Sequence, residues 1–218
     1  MRTAIIIPVK DQIQTIPVLI HRLSKLAQII IAYSGSQYDE VLKKAQDLGA
    51  LTVKAPIGKW AAIVEAVNKY RFDGYVIVDA DLPVRLSDII HVRTALEEAD
   101  LVLVRRSMDD RPLPDRILTL AFHLLTWMLG LRYRDVQAGV KGFKRELILN
   151  TYHFLPRGFL GDLILTYYAV KNGFRVVEVQ VRWRDKRSWG KRLYLLLKII
   201  HEFIQVLPTI MKLAIHRI

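Results

Sequence analysis

The chain has 218 residues, of which 52% are hydrophobic and 25% are charged, and its mean hydropathy is +0.20. This composition excludes an intrinsically disordered chain, which could not bury enough apolar surface to offset its ordering entropy. The length is that of one domain or of a domain with a short appendage. Cysteine is absent, which excludes disulfides, thiolate metal sites and a cysteine nucleophile.

The net charge of +12 comes entirely from the second half of the chain. Residues 1–100 hold 12 basic and 12 acidic residues, whereas residues 101–218 hold the other 21 basic and 9 acidic residues. Such asymmetry indicates an anionic partner: nucleic acid, phospholipid or a phosphorylated substrate. The first apolar run is too short for a signal peptide, and no 18-residue apolar window predicts a spanning helix.

The first hundred residues alternate short β-branched runs with amphipathic stretches. The predicted strands are Thr3–Pro8, Gln28–Tyr33, Ala50–Lys54, Tyr75–Val78 and Asp100–Val104. The predicted helices between them are Ile16–Leu26, Asp39–Leu48, Lys59–Tyr70 and Leu86–Leu96. This order predicts an α/β fold with a mostly parallel sheet flanked by helices. Ligands of such sheets bind beyond the carboxyl ends of the strands, so functional residues are expected there.

The second half is less regular. The pattern predicts an apolar helix over Ile117–Leu131, too short to span a bilayer, and another helix over Gly161–Lys171. The run FRVVEVQVRW predicts a further strand. We expect a domain over residues 1–192 and an amphipathic helical tail over residues 193–218.

Two acids follow the fourth predicted strand, in the run Val78-Asp79-Ala80-Asp81. In an extended backbone Asp79 and Asp81 project to the same side, where they can bind a hard divalent cation that keeps positions open for phosphate oxygens. The alternative is a solvated loop in which acids favour the turn. The position at the ligand-binding edge of the sheet favours the metal.

A wider set of segments resembles a known family. In chain order they are IIIPVKD, IIIAYSGS, IGKWAAIVEAV, GYVIVDADL, ADLVLVRRS, RDVQAGVKGFKRE, GFLGDLILTYYAVKNGFRVVEVQVRW and DKRSWGK. Over about residues 3–192 the chain resembles the inverting glycosyltransferases of family 2 (GT-A fold). Within them it is most similar to polyprenyl-phosphate sugar synthases of the dolichol-phosphate mannose synthase type.

The resemblance implies a nucleotide-sugar donor, a Mg²⁺ or Mn²⁺ ion and a lipid-phosphate acceptor. By position, Asp79 and Asp81 match the metal-binding acids; Asp81 is the closer ligand, and Asp79 holds the ribose or the metal's water shell. Pro8 closes the first strand against the nucleotide, and Lys59 lies near the base and ribose. The expected donor-binding set is completed by Gln12, Tyr33 and Ala80.

The resemblance also implies three arginines in catalysis. Arg106 faces the acceptor phosphate, Arg116 is a second phosphate-binding arginine, and Arg187 belongs with Lys191 to a mobile basic loop over the site. The basic residues after the fifth and last predicted strands are alternatively a solvated face. Asp162 matches a family acid, and its alternative role is to complement the helix dipole. A polyprenyl phosphate is already ionised, so the reaction requires no general base.

The chain departs from the family pattern on the donor side. Lys10, Asp11 and Gln12 stand where the family has Tyr-Asn-Glu, and Tyr33-Ser34 stand where it has acids that recognise the base. Tyr33 is then a candidate stacking platform, which discriminates poorly between bases. The donor therefore stays open between GDP- and UDP-linked sugars, with mannose or glucose as the hexose.

The tail Leu193–Ile218 has a narrow polar stripe, a wide apolar arc and a central Pro208. It can lie in the bilayer interface, pack in a core, or bind a partner such as a second copy; the neighbouring basic segment with Trp183 and Trp189 favours an anionic membrane surface. Ile117–Leu131 is a second candidate interfacial helix.

We therefore expect a peripheral enzyme at the cytoplasmic face of the cell membrane that transfers a hexose to a polyprenyl (dolichyl) phosphate. The alternatives are transfer to a non-phosphorylated acceptor and a catalytically silent GT-A-like module that binds membranes or a partner. A nucleic-acid binder is suggested by the charge alone, and no recognisable motif supports it, so no nucleic-acid partner is expected.

Overall fold

A computed structural model describes residues 1–10, 13–82, 84–106, 120, 122–124, 126–158, 160–182 and 205–213. Its strands are β1 (Thr3–Val9), β2 (Gln28–Tyr33), β3 (Leu51–Lys54), β4 (Gly74–Val78), β5 (Leu101–Arg106), β6 (Val140–Lys144) and β7 (Val176–Val181). Its α-helices are α1 (Ile16–Leu23), α2 (Tyr38–Asp47), α3 (Lys59–Lys69), α4 (Leu86–Glu98), α5 (Arg145–Thr151) and α6 (Gly161–Lys171), and a 3₁₀ turn (Ile13–Thr15) precedes α1.

All seven strands form one sheet in the order β3-β2-β1-β4-β6-β5-β7. The pairs β1·β2, β1·β4, β2·β3 and β5·β7 are parallel, so the carboxyl ends of β1, β2 and β4 meet at one edge. The predicted α/β class with a mostly parallel, helix-flanked sheet is confirmed. The five strands predicted in the first half agree with the observed strands to within two residues at either end.

Strand β6 was not predicted, and it is the antiparallel member of the sheet. It lies between β4 and β5, with Val78 opposite Val140 and Leu103 opposite Lys141. Its sequence, Val-Lys-Gly-Phe-Lys, places a lysine and a glycine inside a five-residue strand, which weakens the strand pattern. Tertiary pairing with two neighbours decides its conformation.

The helices cover both faces of the sheet and produce two apolar cores. Residues Ile5 and Ile7 of β1 face the core formed with α1, α2 and α4, and residues Ala4 and Ile6 face the core formed with α3, α5 and α6. This alternation follows from the two-residue period of a strand. Both faces are therefore buried, which explains why these strands are continuous Ile/Val runs.

Parts of the two predicted interfacial helices lie among the described residues. Residues 120, 122–124, 126–128 and 205–213 are helical. In the tail, Val206, Ile210 and Leu213 pack into the core on the α3/α6 face. Among the described helices, none has both the length and the apolar character needed to cross a bilayer. The domain boundary after residue 192 lies outside the described residues and stays a prediction.

Candidate active site at the carboxyl edge of the sheet

Asp79 and Asp81 lie in a tight turn, not in an extended strand. Strand β4 ends at Val78, and the Asp79 carbonyl accepts a hydrogen bond from the Leu82 amide at 3.0 Å. Leu82 has a φ of +44°, a left-handed conformation that reverses the chain. The expectation of an extended backbone across the two acids is therefore wrong. The turn places Asp79 half-buried at the sheet edge and leaves Asp81 exposed.

Lys59 is the first residue of α3, and its side chain forms an ion pair with Asp79 in this turn. Its Nζ lies 2.9 Å from Asp79 Oδ1. The start of α3 is fixed by Arg157, whose carbonyl accepts a hydrogen bond from the Trp60 amide at 3.2 Å. Gly58, at φ +127°, permits this contact, because a Cβ there would lie 2.4 Å from the Arg157 carbonyl oxygen. Lys59 is thus held beside Asp79 by the backbone on either side of it.

The charges around Lys59 keep it protonated. Burial alone would lower the pKa of Lys59, but the carboxylates of Asp79, Asp162 and Asp81 and the hydrogen bond to Asp79 raise it above its ordinary value. An ammonium ion beside a cluster of carboxylates can bind the phosphate oxygens of a nucleotide as a point charge.

The side chain of Asp79 packs against Gly139, the residue immediately before β6. The Asp79 amide donates a hydrogen bond to the Gly139 carbonyl at 3.2 Å, and the Asp79 carboxylate lies against the α-carbon of Gly139. Any larger residue at position 139 would occupy the space of that carboxylate. Gly139 therefore belongs to the site, although the sequence did not indicate it.

A buried ion pair lies behind the Asp79 turn. Lys141 of β6 binds Asp162 of α6 and also donates to the Val136 carbonyl at 3.0 Å. The two charged side chains are only 1% and 3% exposed. Burial, helped by the positive charge of Lys59, lowers the pKa of Lys141, while Asp162 and Asp79 oppose the shift. Lys141 was not predicted as a site residue; the signal in the sequence was an unusual lysine between Val140 and Gly142.

Arg106, at the carboxyl end of β5, forms a two-pronged ion pair. Its Nε and Nη2 donate to the two carboxylate oxygens of Asp135, the latter at 2.8 Å. Planar guanidinium and carboxylate groups match in this geometry, which fixes the guanidinium plane. Asp135 was not predicted to take part. The role of Arg106 toward an acceptor phosphate stays a prediction.

The other predicted residues have three outcomes. Pro8 in β1 pairs with Ala32, and Ala80 lies in the turn between the two acids, so both are at the expected edge. Tyr33 is 1% exposed and packs edge-on against Tyr38, with ring centroids 5.4 Å apart. Its ring has no open face for a nucleobase, so the expected stacking role does not fit this conformation. Gln12, Arg116, Arg187 and Lys191 lie outside the described residues.

The turn suits a divalent cation by its donor chemistry. Carboxylate oxygens are the ligands that Mg²⁺ and Mn²⁺ prefer, and Mg²⁺ is commonly held by one or two carboxylates together with substrate phosphates. No group of three acidic or histidine side chains is placed for a metal in the part of the chain that the structure describes. An ion held by Asp79 and Asp81 would keep its other coordination positions for water or phosphate oxygens.

Comparison with solved structures defines the class of fold. The chain superposes on glucosyl-3-phosphoglycerate synthase from Mycobacterium tuberculosis, in complex with Mn²⁺, UDP and phosphoglyceric acid, with a TM-score of 0.70 and 18% identity; 94% of this chain and 78% of that chain are covered. Mannosyl-3-phosphoglycerate synthase from Rubrobacter xylanophilus gives a TM-score of 0.68 at 17% identity, covering 92% and 72%. The protein has the GT-A fold.

Comparison with curated sequences finds a related protein that is named for its reaction. Polyprenol monophosphomannose synthase from Mycolicibacterium smegmatis is 26% identical over 211 residues, which cover 85% of this chain and 78% of that protein. No protein-family model matches the chain. The similarities confirm the resemblance to GT-A glycosyltransferases of the family 2 type.

Proposed function

We propose that the protein is a metal-dependent inverting glycosyltransferase that moves mannose or glucose from a nucleotide sugar to a polyprenyl phosphate at the cytoplasmic membrane face. The observation that carries this proposal is the Asp79-Ala80-Asp81 turn beside Lys59 at the carboxyl edge of a GT-A sheet. Carboxylates and an ammonium ion together suit a metal-bound diphosphate. The similarity to a polyprenol monophosphomannose synthase supports the acceptor.

In the proposed reaction, an acceptor phosphate oxygen attacks the anomeric carbon while the bond from that carbon to the donor diphosphate breaks. The products are the inverted polyprenyl-phosphate sugar and a nucleoside diphosphate. Asp79 and Asp81 hold the metal, which when bound stabilises negative charge on the departing diphosphate. Lys59 adds a positive charge beside the same oxygens, and Arg106, oriented by Asp135, orients the attacking phosphate. Arg116 and Arg187 are proposed to bind phosphate with it.

A small phosphorylated acceptor is the second candidate. Both superposed synthases are named for products on phosphoglycerate, and one is in complex with phosphoglyceric acid. This acceptor demands the same phosphate-binding arginines but no membrane. The two acceptors are therefore distinguished by whether the product enters the lipid phase.

Membrane docking is proposed through the helical residues 120, 122–124 and 126–128. Leu120, Leu124, Trp127 and Met128 are all exposed and share one stripe, with Trp127 60% and Met128 74% exposed. Thr126, on the opposite side, is buried. Arg132 and Arg134 follow the segment and are exposed. Apolar and tryptophan side chains flanked by arginines suit an anionic bilayer surface.

The test is a transfer assay with purified protein and Mn²⁺. Radiolabelled GDP-mannose, UDP-glucose and related donors are offered with a short polyprenyl phosphate or with phosphoglycerate, and lipid-phase and aqueous products are counted separately. Label in the lipid phase with one donor, absent with Asp81→Ala, is the expected result. Label only on phosphoglycerate would mean that the acceptor is a small phosphorylated molecule and not a polyprenyl phosphate. Transfer from no donor by folded, membrane-binding protein would favour the silent GT-A-like module.

A further inference from the structure

The buried pair Lys141–Asp162 is connected to Lys59 through direct packing. Gly161, the first residue of α6, lies against the indole of Trp60: a Cβ at position 161 would be 2.2 Å from Trp60 Cδ1. Asp162 follows Gly161, and Lys59 precedes Trp60. The contact between the two helix starts brings Asp162 close enough to Lys59 for its negative charge to raise the pKa of the Lys59 ammonium group.

The charges then alternate along a continuous row. Lys141 binds Asp162, the negative charge of Asp162 raises the pKa of Lys59, and Lys59 binds Asp79. The segment that leads into β6 contributes to both ends, because Gly139 receives the Asp79 carboxylate and Lys141 of β6 lies two residues further along the chain. Residues 139–141 thus fix the Asp79 carboxylate and the buried pair relative to each other.

Fold stability is a weak explanation for this buried pair. The cost of removing two charges from water offsets most of their attraction, and well-packed apolar residues of similar size commonly replace such a pair without loss of stability. Asp162 is also committed to Lys141 and is 3% exposed, which disfavours direct contact with an acceptor. The remaining explanation is that the Lys141–Asp162 pair acts on the position of Lys59.

We infer that Lys141 and Asp162 are positioning residues: they hold Lys59 against Asp79, at the place where the donor diphosphate and its metal bind. The identity of the ligand, a donor diphosphate with its metal, rests on the proposed function. The placement of Lys59 by Lys141 and Asp162 does not depend on that function. The Asp162 carboxylate attracts the Lys59 ammonium group from one side, and Lys141 neutralises and orients that carboxylate.

The test uses the double variant Lys141→Met/Asp162→Leu, which replaces the pair with apolar side chains and leaves no unpaired buried charge. The matched control is Lys144→Met/Asp100→Leu, which removes the other ion pair of β6, where Lys144 Nζ lies 2.9 Å from Asp100 Oδ1. Thermal unfolding checks both folds. Acetic anhydride labelling of each lysine, quantified by mass spectrometry, reports the accessibility of Lys59 without any nucleotide. Calorimetry with Mn²⁺ and GDP or UDP reports ligand binding.

The expected result is several-fold faster labelling of Lys59 in the first variant, with nucleotide affinity reduced about tenfold, and no change in either for the control. Unchanged Lys59 labelling in the folded variant would overturn the inference, whatever happens to transfer. Faster labelling with unchanged nucleotide affinity would overturn the link to the donor. If Lys59 labelling responds but the wild-type protein binds neither nucleotide, the placement of Lys59 stands and the proposed function fails. Should the first variant not fold, Asp162→Asn is measured by the same labelling.

Discussion

The carboxylate of Asp79 occupies the space directly over the α-carbon of Gly139: a Cβ there would lie 1.8 Å from Asp79 Oδ2. The Gly139→Ala variant must therefore displace the carboxylate. Because a displacement of about 1 Å in a catalytic site can cost about a hundredfold in rate, we expect a loss of that order in turnover. Gly142→Ala, inside β6 and facing Val92, is the control; equal loss of turnover in both variants would contradict this role of Gly139.

Removal of the Asp81 side chain is expected to abolish transfer without lowering the unfolding temperature. Asp81 is exposed in the turn, so Asp81→Ala should unfold at the wild-type temperature, yet lose transfer and metal-dependent donor binding. Asp39→Ala, an exposed acid in the first turn of α2, is the matched control. Mn²⁺ binding is followed by electron paramagnetic resonance and transfer by product counts. Retained Mn²⁺ affinity would remove Asp81 from the metal site.

Arg106 and Asp135 are expected to be strongly coupled in stability. Loss of either partner leaves the other charge mostly buried, which costs about 3 kcal/mol in the free energy of unfolding. The variants Arg106→Met and Asp135→Leu, alone and together, give a double-mutant cycle by urea denaturation. We expect a coupling of about 1–3 kcal/mol. Additive effects would mean that the two-pronged pair is not formed in solution.

Asp100 is expected to make stability depend on acid pH. Burial raises the pKa of Asp100, but hydrogen bonds from Lys144 Nζ and the Arg175 amide outweigh it, and the net pKa lies below the ordinary value. A carboxyl group whose pKa falls on folding stabilises the native state above its unfolded pKa of about 3.9, and this stabilisation is lost as the pH falls through the native pKa.

The check is the variant Asp100→Asn, measured by urea denaturation across pH. We expect it to be less stable than wild type by about 1 kcal/mol at pH 7, with the difference shrinking below about pH 4. A difference that stays constant down to acid pH would assign the effect to the shape of the side chain and not to its charge.

The exposed apolar stripe is expected to contribute to membrane binding. Leu124→Ser/Trp127→Ser should fold normally, because both side chains are exposed, but bind vesicles of phosphatidylglycerol and phosphatidylcholine at least about tenfold more weakly. Val18→Ser is the control, since Val18 is 58% exposed on α1. Vesicle co-sedimentation measures both. Equal binding by all three proteins would exclude this face as the docking surface.

The parts of the fold that sequence reasoning predicted are those specified by local patterns. Continuous Ile/Val runs predicted β1, β2 and β4, and the same edge drew attention to Asp79 and Asp81. Strand β6 escaped prediction because its conformation depends on two neighbours distant in the chain. For the same reason the pairs Lys141–Asp162 and Arg106–Asp135 were missed: their members are 21 and 29 residues apart, and nothing local joins them.

Tyr33 shows the opposite error, in which a local pattern suggested more than the packing allows. An aromatic residue at the end of β2 was a reasonable nucleobase platform. In the folded chain its hydroxyl instead accepts a hydrogen bond from the Gln37 amide at 3.3 Å, and Tyr38 packs on its ring. The residue closes the apolar core at the sheet edge.

The placement of β6 also sets an order for assembly during synthesis. Strand β4 is buried along its whole length and pairs with β6 on one side, and β5 joins the sheet through β6 and β7, not through β4. Until residues 140–144 have left the ribosome, β4 presents an unpaired apolar edge, and β5 has no partner. Nascent chains that stall between β5 and β6 are therefore the ones most exposed to edge-to-edge aggregation and most dependent on chaperones.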